Sequence, residues 1–182
     1  MGLFICTPEV YYSKDECVKR KTNRQSNSWI FDIINNNYTK EPWIHCMYQE
    51  EDWTLICHHS FKKILIVFKD CTLQSLRDLR QKHVKLLLHI RKKVTALLKA
   101  DPVKYGIHSI DLQKNNKIEF YFHYWPTVFQ LHAHVSINDN RQKLCCRCHD
   151  FKHIIRNLMI SDTYYECAII HAQLGRQNVV EK

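Results

Sequence analysis

Ten residues in which polar and apolar side chains alternate, positions 128–137, constrain the fold of this chain more than any other segment. An extended strand turns successive side chains to opposite faces of its sheet. The alternation therefore predicts a strand with one buried face, and its other face carries the polar set Gln130, His132, His134 and Ser136. Residues on one face are about 6.5–7 Å apart, so two imidazoles and an amide can line up along one bound polyphosphate.

A preceding strand is predicted over residues 118–125, because this run is aromatic and β-branched. Pro126 then marks a turn, and the resulting hairpin brings His123 close to His132 and His134. The charge of imidazole is adjustable near neutral pH, so three such rings around one spot suggest an anion-binding site. The alternative is a purely structural His-x-His strand, since histidine is often only partly buried.

Length and composition favour one globular domain with a sizeable core, because the chain has 182 residues, 45% of them hydrophobic. No run approaches the ~18 apolar residues of a membrane span, and no charged-then-apolar leader is present. We therefore expect no membrane association and a cytoplasmic location, with the nucleus as a further location beside it. The net charge of +9 favours polyanionic partners such as nucleotides or RNA ends.

The nine cysteines predict free thiols in a reducing compartment, since their number is odd and no secretion signal precedes them. A zinc site is the alternative, built from Cys145, Cys146, Cys148 and His149 with help from the distant segment 57–59. Neither cluster has the two spaced ligand pairs typical of zinc sites. We therefore expect no metal and no cofactor.

The order of predicted elements indicates an α+β domain with an antiparallel sheet. Residues 1–28 are predicted to form a polar N-terminal arm, and residues 29–182 the folded domain. The helices are predicted at 29–34, 72–100 and 151–159, and the remaining strands at 43–48, 53–57, 64–68 and 164–170.

Four patches, in this order, carry a resemblance to a known family: Trp29 to Ile34, Ser75 to Leu79, Phe122 to Pro126 with Leu131 to Val135 after it, and Arg147-x-His149. Together they resemble the C-terminal catalytic domain of the scavenger mRNA decapping enzyme, a branch of the histidine triad superfamily. Over roughly residues 7–176, the resemblance implies a histidine-triad-like antiparallel sheet with one long helix and a C-terminal helix. It also implies a homodimer.

The resemblance implies that the chain cleaves residual capped dinucleotides (m7GpppN) to 7-methyl-GMP and a nucleoside diphosphate, without a metal. His132 corresponds to the nucleophile, which would form a transient nucleotidyl-histidine. His134 corresponds to the residue that contacts phosphate oxygens or the leaving group. His123 and Thr127 correspond to residues that contact phosphate.

The same resemblance implies which residues bind the base of the cap. Trp29 corresponds to the aromatic that stacks on methylated guanine, and Glu41 to the carboxylate that reads the guanine edge. The chain departs from the family at Gln130, which replaces the first histidine of the triad and cannot carry charge. The family's phosphate-binding lysine is also missing at its usual place, and Lys62 or Lys63 is the candidate to supply that cation.

Three functions remain open at this point, and the first is the one we predict: a cap hydrolase that works through His132. The second is a non-catalytic relative that binds capped RNA or nucleotides as a decoy or regulator. Gln130, the missing lysine and the lack of a counterpart to the family's N-terminal domain favour this second function. The third is a hydrolase of another dinucleotide or of a nucleoside phosphoramidate.

Overall fold

The computed structural model describes residues 3–7, 28–37, 44–58, 63–102, 117–137 and 147–173. Within these residues the fold is α+β, as predicted. The strands are β1 Leu3–Cys6, β2 Ile44–Gln49, β3 Trp53–His58, β4 Lys63–Phe68, β5 Ile118–His123, β6 His132–Ile137, β7 Cys148–Asp150 and β8 Ile170–Gln173. The helices are α1 Ser28–Ile34, α2 Val84–Ala100, α3 Phe151–Ile160 and α4 Tyr164–Cys167.

Six strands form the main sheet, in the order β2-β3-β4-β6-β5-β7, and every neighbouring pair is antiparallel. The histidine strand β6 lies between β4 and β5, inside the sheet. β1 and β8 pair separately as a two-stranded antiparallel sheet. Residues 3–6 of the predicted polar arm therefore form a strand, while residues 8–27 lie outside the described part of the chain.

The sheet has an apolar core on each face. On one face α2 and α3 cover the larger cluster, which contains alternate residues of the strands: Trp53, Leu55, Ile64, Ile66, Phe68, Phe120, Phe122, Ala133 and Val135. On the other face the short helix α1 covers a smaller cluster over β2, β3 and β4: Ile30, Ile33, Ile44, Ile56, Leu65, Val67 and Val128. The smaller cluster leaves the β5–β6 part of this second face to other side chains.

The predicted hairpin is confirmed, but its strands are shorter than expected. β5 ends at His123 and β6 begins at His132, so residues 124–131 form an irregular connection. Most of this connection is buried, and its chain is tied down by backbone hydrogen bonds. Leu131 N donates to Leu73 O, and Phe68 N donates to Leu131 O. The regular two-residue alternation therefore holds for His132 and His134 but does not extend to Gln130.

The predicted helix over 72–100 is wrong in its first twelve residues, because α2 begins only at Val84. Ser75 and Asp78 form a reciprocal capping box around the 3-10 turn Leu76–Asp78. Leu79 then leaves this turn in an extended conformation, and a second 3-10 turn, Gln81–His83, precedes α2. The local caps in this segment override the helical spacing of its leucines.

The predicted strand over 164–170 is also wrong, because this segment begins with α4 and only Ile170 enters β8. The guanidinium of the fully buried Arg77 supplies the physical reason. Its Nη1 donates to the carbonyls of Tyr165, Glu166 and Ala168, and its Nε donates to Tyr124 Oη at 2.7 Å. Carbonyls at a helix end need such donors, so Arg77 favours a helical turn here.

No helix among the described residues is both long and apolar enough to span a membrane.

Replacing Arg77 with Met should lower the free energy of unfolding by about 3 kcal/mol, because buried carbonyls would lose a charged donor. Urea unfolding followed by circular dichroism measures the change as a lower midpoint. Arg156→Met is the matched control: Arg156 is exposed on α3, and its loss should change stability by no more than about 0.5 kcal/mol. Equal midpoints for the two variants would contradict the role assigned to Arg77.

Candidate functional site

The candidate site lies on the β5–β6 half of the sheet face that α1 partly covers. In β6 the apolar residues Ala133 and Val135 are buried in the larger core, so His132 and His134 point to the opposite face. The register pairs His134 with Tyr121 and Ala133 with Phe122. His123, one residue beyond Phe122, therefore shares the face of the two β6 histidines.

Four aromatic rings form one connected cluster on this face. The centroid of His134 is 4.0 Å from that of His123 and 5.4 Å from that of His132. Tyr121 stacks nearly parallel on His134, at 5.2 Å and 15°, and meets His123 edge-on at 5.3 Å. The structure thus brings together the three predicted histidines, and Tyr121 packs against two of them.

His132 has a defined hydrogen-bonding partner for one ring nitrogen. Its Nδ1 lies 2.8 Å from the backbone carbonyl oxygen of Gln130. A carbonyl only accepts, so Nδ1 carries the hydrogen, and in the neutral ring the lone pair is on Nε2. Burial lowers the pKa of His132 below its ordinary value of 6.5, against the opposing effect of this hydrogen bond. The ring is therefore neutral at pH 7, in the tautomer with a nucleophilic Nε2.

The side chain of Gln130 binds the backbone at the end of β4. Only 1% of the residue is exposed, and its Nε2 donates to Phe68 O at 2.7 Å and to Asp70 O at 3.0 Å. The two protons of the amide are thus engaged with protein carbonyls. Gln130 positions His132 through its backbone oxygen, and its predicted contact with substrate stays a prediction.

The remaining predicted site residues are placed less completely. Trp29 is half-buried in α1 and packs against the smaller core, on the same face of the sheet as the histidines. Thr127 is exposed in the connection between β5 and β6. Glu41 and Lys62 lie outside the described residues, and Lys63 begins β4 with a side chain that is not described.

His149 occupies the other face of the sheet, although it belongs to a patch that carries the family resemblance. It pairs with Phe122, whose side chain is in the larger core, and its ring meets Tyr124 edge-on at 6.2 Å. Burial lowers the pKa of His149 to about 4. Arg147, from the same patch, donates from Nη2 to Trp125 O at 3.2 Å. Both residues therefore contact the connection between β5 and β6, His149 at Tyr124 and Arg147 at Trp125.

Sequence reasoning missed two residues of this face. Tyr121 has a signal in the sequence, because alternation along β5 places Glu119, Tyr121 and His123 on one side. Thr54 has none: it joins the face only because β3 pairs Thr54 with Val67, and β4 pairs Val67 with His132. The Thr54 hydroxyl is fully buried and has no hydrogen-bond partner among the described residues.

No group of three or more metal-ligating side chains occurs in the part of the chain that the structure describes. Cys148 is half-buried and pairs in register with His123. Cys145 and Cys146, named above for the alternative zinc site, lie outside the described residues.

Comparison with known proteins identifies one family. The family model described as "Scavenger mRNA decapping enzyme C-term binding" matches residues 28–148, about two thirds of the chain. No curated protein matches the sequence. The matched residues include α1, the strands β5 and β6 that carry the histidines, and the 3-10 turn Leu76–Asp78. The chain therefore belongs to the family of scavenger mRNA decapping enzyme C-terminal domains, a nucleotide-binding family of hydrolase type with a histidine-triad-like fold.

Proposed function

We propose that this protein hydrolyses the triphosphate bridge of capped dinucleotides through a covalent intermediate on His132. One observation carries the proposal: the Nδ1 contact with the carbonyl of Gln130 at 2.8 Å holds the neutral ring with Nε2 as its nucleophilic nitrogen. Histidine must be deprotonated at the attacking nitrogen to act as a nucleophile. The lowered pKa of His132 meets that requirement at neutral pH.

The proposed reaction has two displacements at one phosphorus. The Nε2 lone pair of His132 forms a bond to the phosphorus next to the 7-methylguanosine, and the bond to the bridging oxygen breaks. The nucleoside diphosphate leaves with that electron pair. Water then attacks the same phosphorus and the P–N bond breaks, which releases 7-methyl-GMP and returns the neutral imidazole. A proton from the water passes to solvent or to a neighbouring ring.

The neighbouring rings support the phosphate during both displacements. His123 and His134 share the face with His132, and their ring nitrogens are the hydrogen-bond donors we assign to the phosphate oxygens and the leaving group. Thr127, exposed in the connection before β6, is assigned to phosphate as well. Lys62 and Lys63 are proposed as the cations that replace the family's missing lysine.

The cap base is proposed to bind beside α1. Trp29 is half-buried on this helix, over the same sheet face as the histidines, so its ring is the candidate to stack on the cationic methylated guanine. Glu41 is the proposed acceptor for the guanine edge. Capped RNA fragments or cap dinucleotides are thus the proposed ligands, and a cytoplasmic homodimer is the form we propose on the family relationship.

Replacing His132 with Asn should lower the rate of hydrolysis of a methylated cap dinucleotide by about a thousandfold or more, because the covalent step loses its nucleophile. Product release is followed by chromatography, and cap binding by fluorescence quenching. His153→Asn is the matched control, since His153 is exposed on α3 and outside the site. Both variants should keep the wild-type circular dichroism spectrum.

The same assay distinguishes the three functions when an unmethylated cap dinucleotide and an adenosine phosphoramidate are added as substrates. Binding without turnover by the wild-type protein would replace the proposal with the decoy function. Turnover without preference for the methylated cap, or turnover of the phosphoramidate instead, would replace it with the hydrolase of another nucleotide.

The pH dependence follows from the lowered pKa of His132. The ring is neutral above its pKa, so the nucleophile should be lost only as the pH falls through a value below 6.5. A histidine titration by ¹H–¹³C NMR, assigned with His132→Asn, measures this pKa directly. The rate of the covalent step in single-turnover experiments should fall at the same acidic pH. A His132 pKa above 6.5 would contradict the proposed ground state.

Replacing Tyr121 with Leu should slow the covalent step by about tenfold, because His134 would lose the ring that stacks on it at 5.2 Å. Tyr121→Phe keeps the aromatic ring and should remain within about threefold of the wild type. Single-turnover rates measure both variants, and the ¹H–¹³C shifts of His134 report its ring environment. Equal rates for Leu and Phe would exclude a positioning role for Tyr121.

A further inference from the structure

A groove between α2 and α3 lies on the far side of the main sheet from the histidine cluster. This helix groove has a volume of about 530 Å³, and seven side chains line it: Leu88, Arg91, Lys152, Ile155, Arg156, Met159 and Ile160. Both helices pack on the core behind β6 through their other faces. The groove is therefore separate from the site that we assign to the cap.

The floor of the helix groove is apolar and open to solvent. Leu88, Met159 and Ile160 are exposed to 47%, 65% and 70%. The helical spacing of leucines in the sequence counts Leu88 among the core positions, yet the structure leaves it at the surface. Large apolar side chains that are grouped and exposed in this way are typical of interaction surfaces.

The rim of the helix groove is cationic. Arg91, Lys152 and Arg156 line it, and no acidic residue does. Among the described residues, none of these three side chains has an ion pair or a hydrogen bond. Their charges are therefore available to a partner, and they surround the apolar floor on α2 and α3.

We propose that the helix groove binds an amphipathic helix of a partner protein, with apolar anchors on one face and acidic residues beside them. Two helices with a cleft between them accept a third helix, and apolar side chains at three- and four-residue spacing fill the cleft. The three unpaired cations select glutamate or aspartate at the flanks of those anchors. Charge complementarity thus specifies the chemistry of the occupant.

The same charges disfavour a second copy of this chain. A two-fold interface that placed one helix groove against another would bring Arg91, Lys152 and Arg156 close to identical cations. An acidic membrane surface would satisfy the charges as well, so acidic vesicles are part of the test below.

The probe for this proposal is a fluorescein-labelled helical peptide of about 16 residues, roughly four turns. It carries leucines at i, i+4 and i+7 and glutamates on both sides of them. A second peptide has lysine in place of every glutamate. Fluorescence anisotropy should show binding of the acidic peptide only, and added salt should weaken this binding.

Two pairs of variants test the floor and the rim separately. Arg156→Glu should weaken binding of the acidic peptide by about tenfold, whereas Lys99→Glu, with the same charge change on α2 outside the groove, should not. Met159→Ser should weaken binding to a similar extent, whereas Ile169→Ser should not, since Ile169 is equally exposed but outside the groove. All four side chains are exposed, so the folded structure should persist, as thermal unfolding will show.

The binding of the acidic peptide to the four variants either supports the proposed helix site or overturns it. Loss of binding in Arg156→Glu and Met159→Ser, with both controls unchanged, supports the proposal. It is overturned if the acidic peptide does not bind, if the lysine peptide binds equally well, or if the controls lose binding too. Sedimentation that shows a dimer broken by Met159→Ser would assign the groove to a second copy. Groove-dependent binding to phosphatidylserine vesicles without peptide binding would assign it to a membrane.

Discussion

Gln130 is the residue on which the geometry of the site depends. Its backbone oxygen accepts from Nδ1 of His132, and its side-chain amide donates to Phe68 O and Asp70 O. His132, the proposed nucleophile, is thereby linked through one residue to the end of β4. Leu131 strengthens the link, because its backbone bonds with Phe68 and Leu73. An unpaired carbonyl in this buried place would cost about 1–3 kcal/mol, so the amide also stabilises the turn. Glutamine performs this positioning without a charge.

One face of the main sheet carries most of the apolar core, and the other face carries the histidine cluster. The face under α2 and α3 carries most of the core, and Arg77 fastens α4 to it through three carbonyls and the Tyr124 hydroxyl. The other face carries a smaller core under α1 and, beside it, the histidine cluster. Because β6 is an inner strand, β4 and β5 hold it from both sides. His132 and His134 are thus held on a rigid support, as a preorganised site requires.

Strand β6 and the helix from Val84 onward were predictable from their hydrophobic periods, and so was the core of the site. Alternation identified β6 and the three histidines that meet, and the buried positions of α2 follow the expected helical spacing. The sequence pattern failed where side chains bind distant backbone. The residue types of segment 164–170 resemble those of a strand. The sequence could not show that Arg77 would bind the carbonyl of Tyr165 and hold this segment in a helical turn. The pairing of Leu3–Cys6 with β8 likewise depends on contacts remote in sequence.

The net charge of +9 does not act as one field on a bound phosphate. Arg91, Lys152 and Arg156 lie on the helix side of the sheet, whereas His123 and His132 lie on the other side. A helix layer packed on a sheet separates the two surfaces by roughly 10 Å or more. The Debye length at physiological salt is about 8 Å, so exposed charges on the helix side are largely screened from the phosphates. Arg91, Lys152 and Arg156 therefore contribute little to the proposed phosphate binding at the histidines, which leaves them available to another ligand.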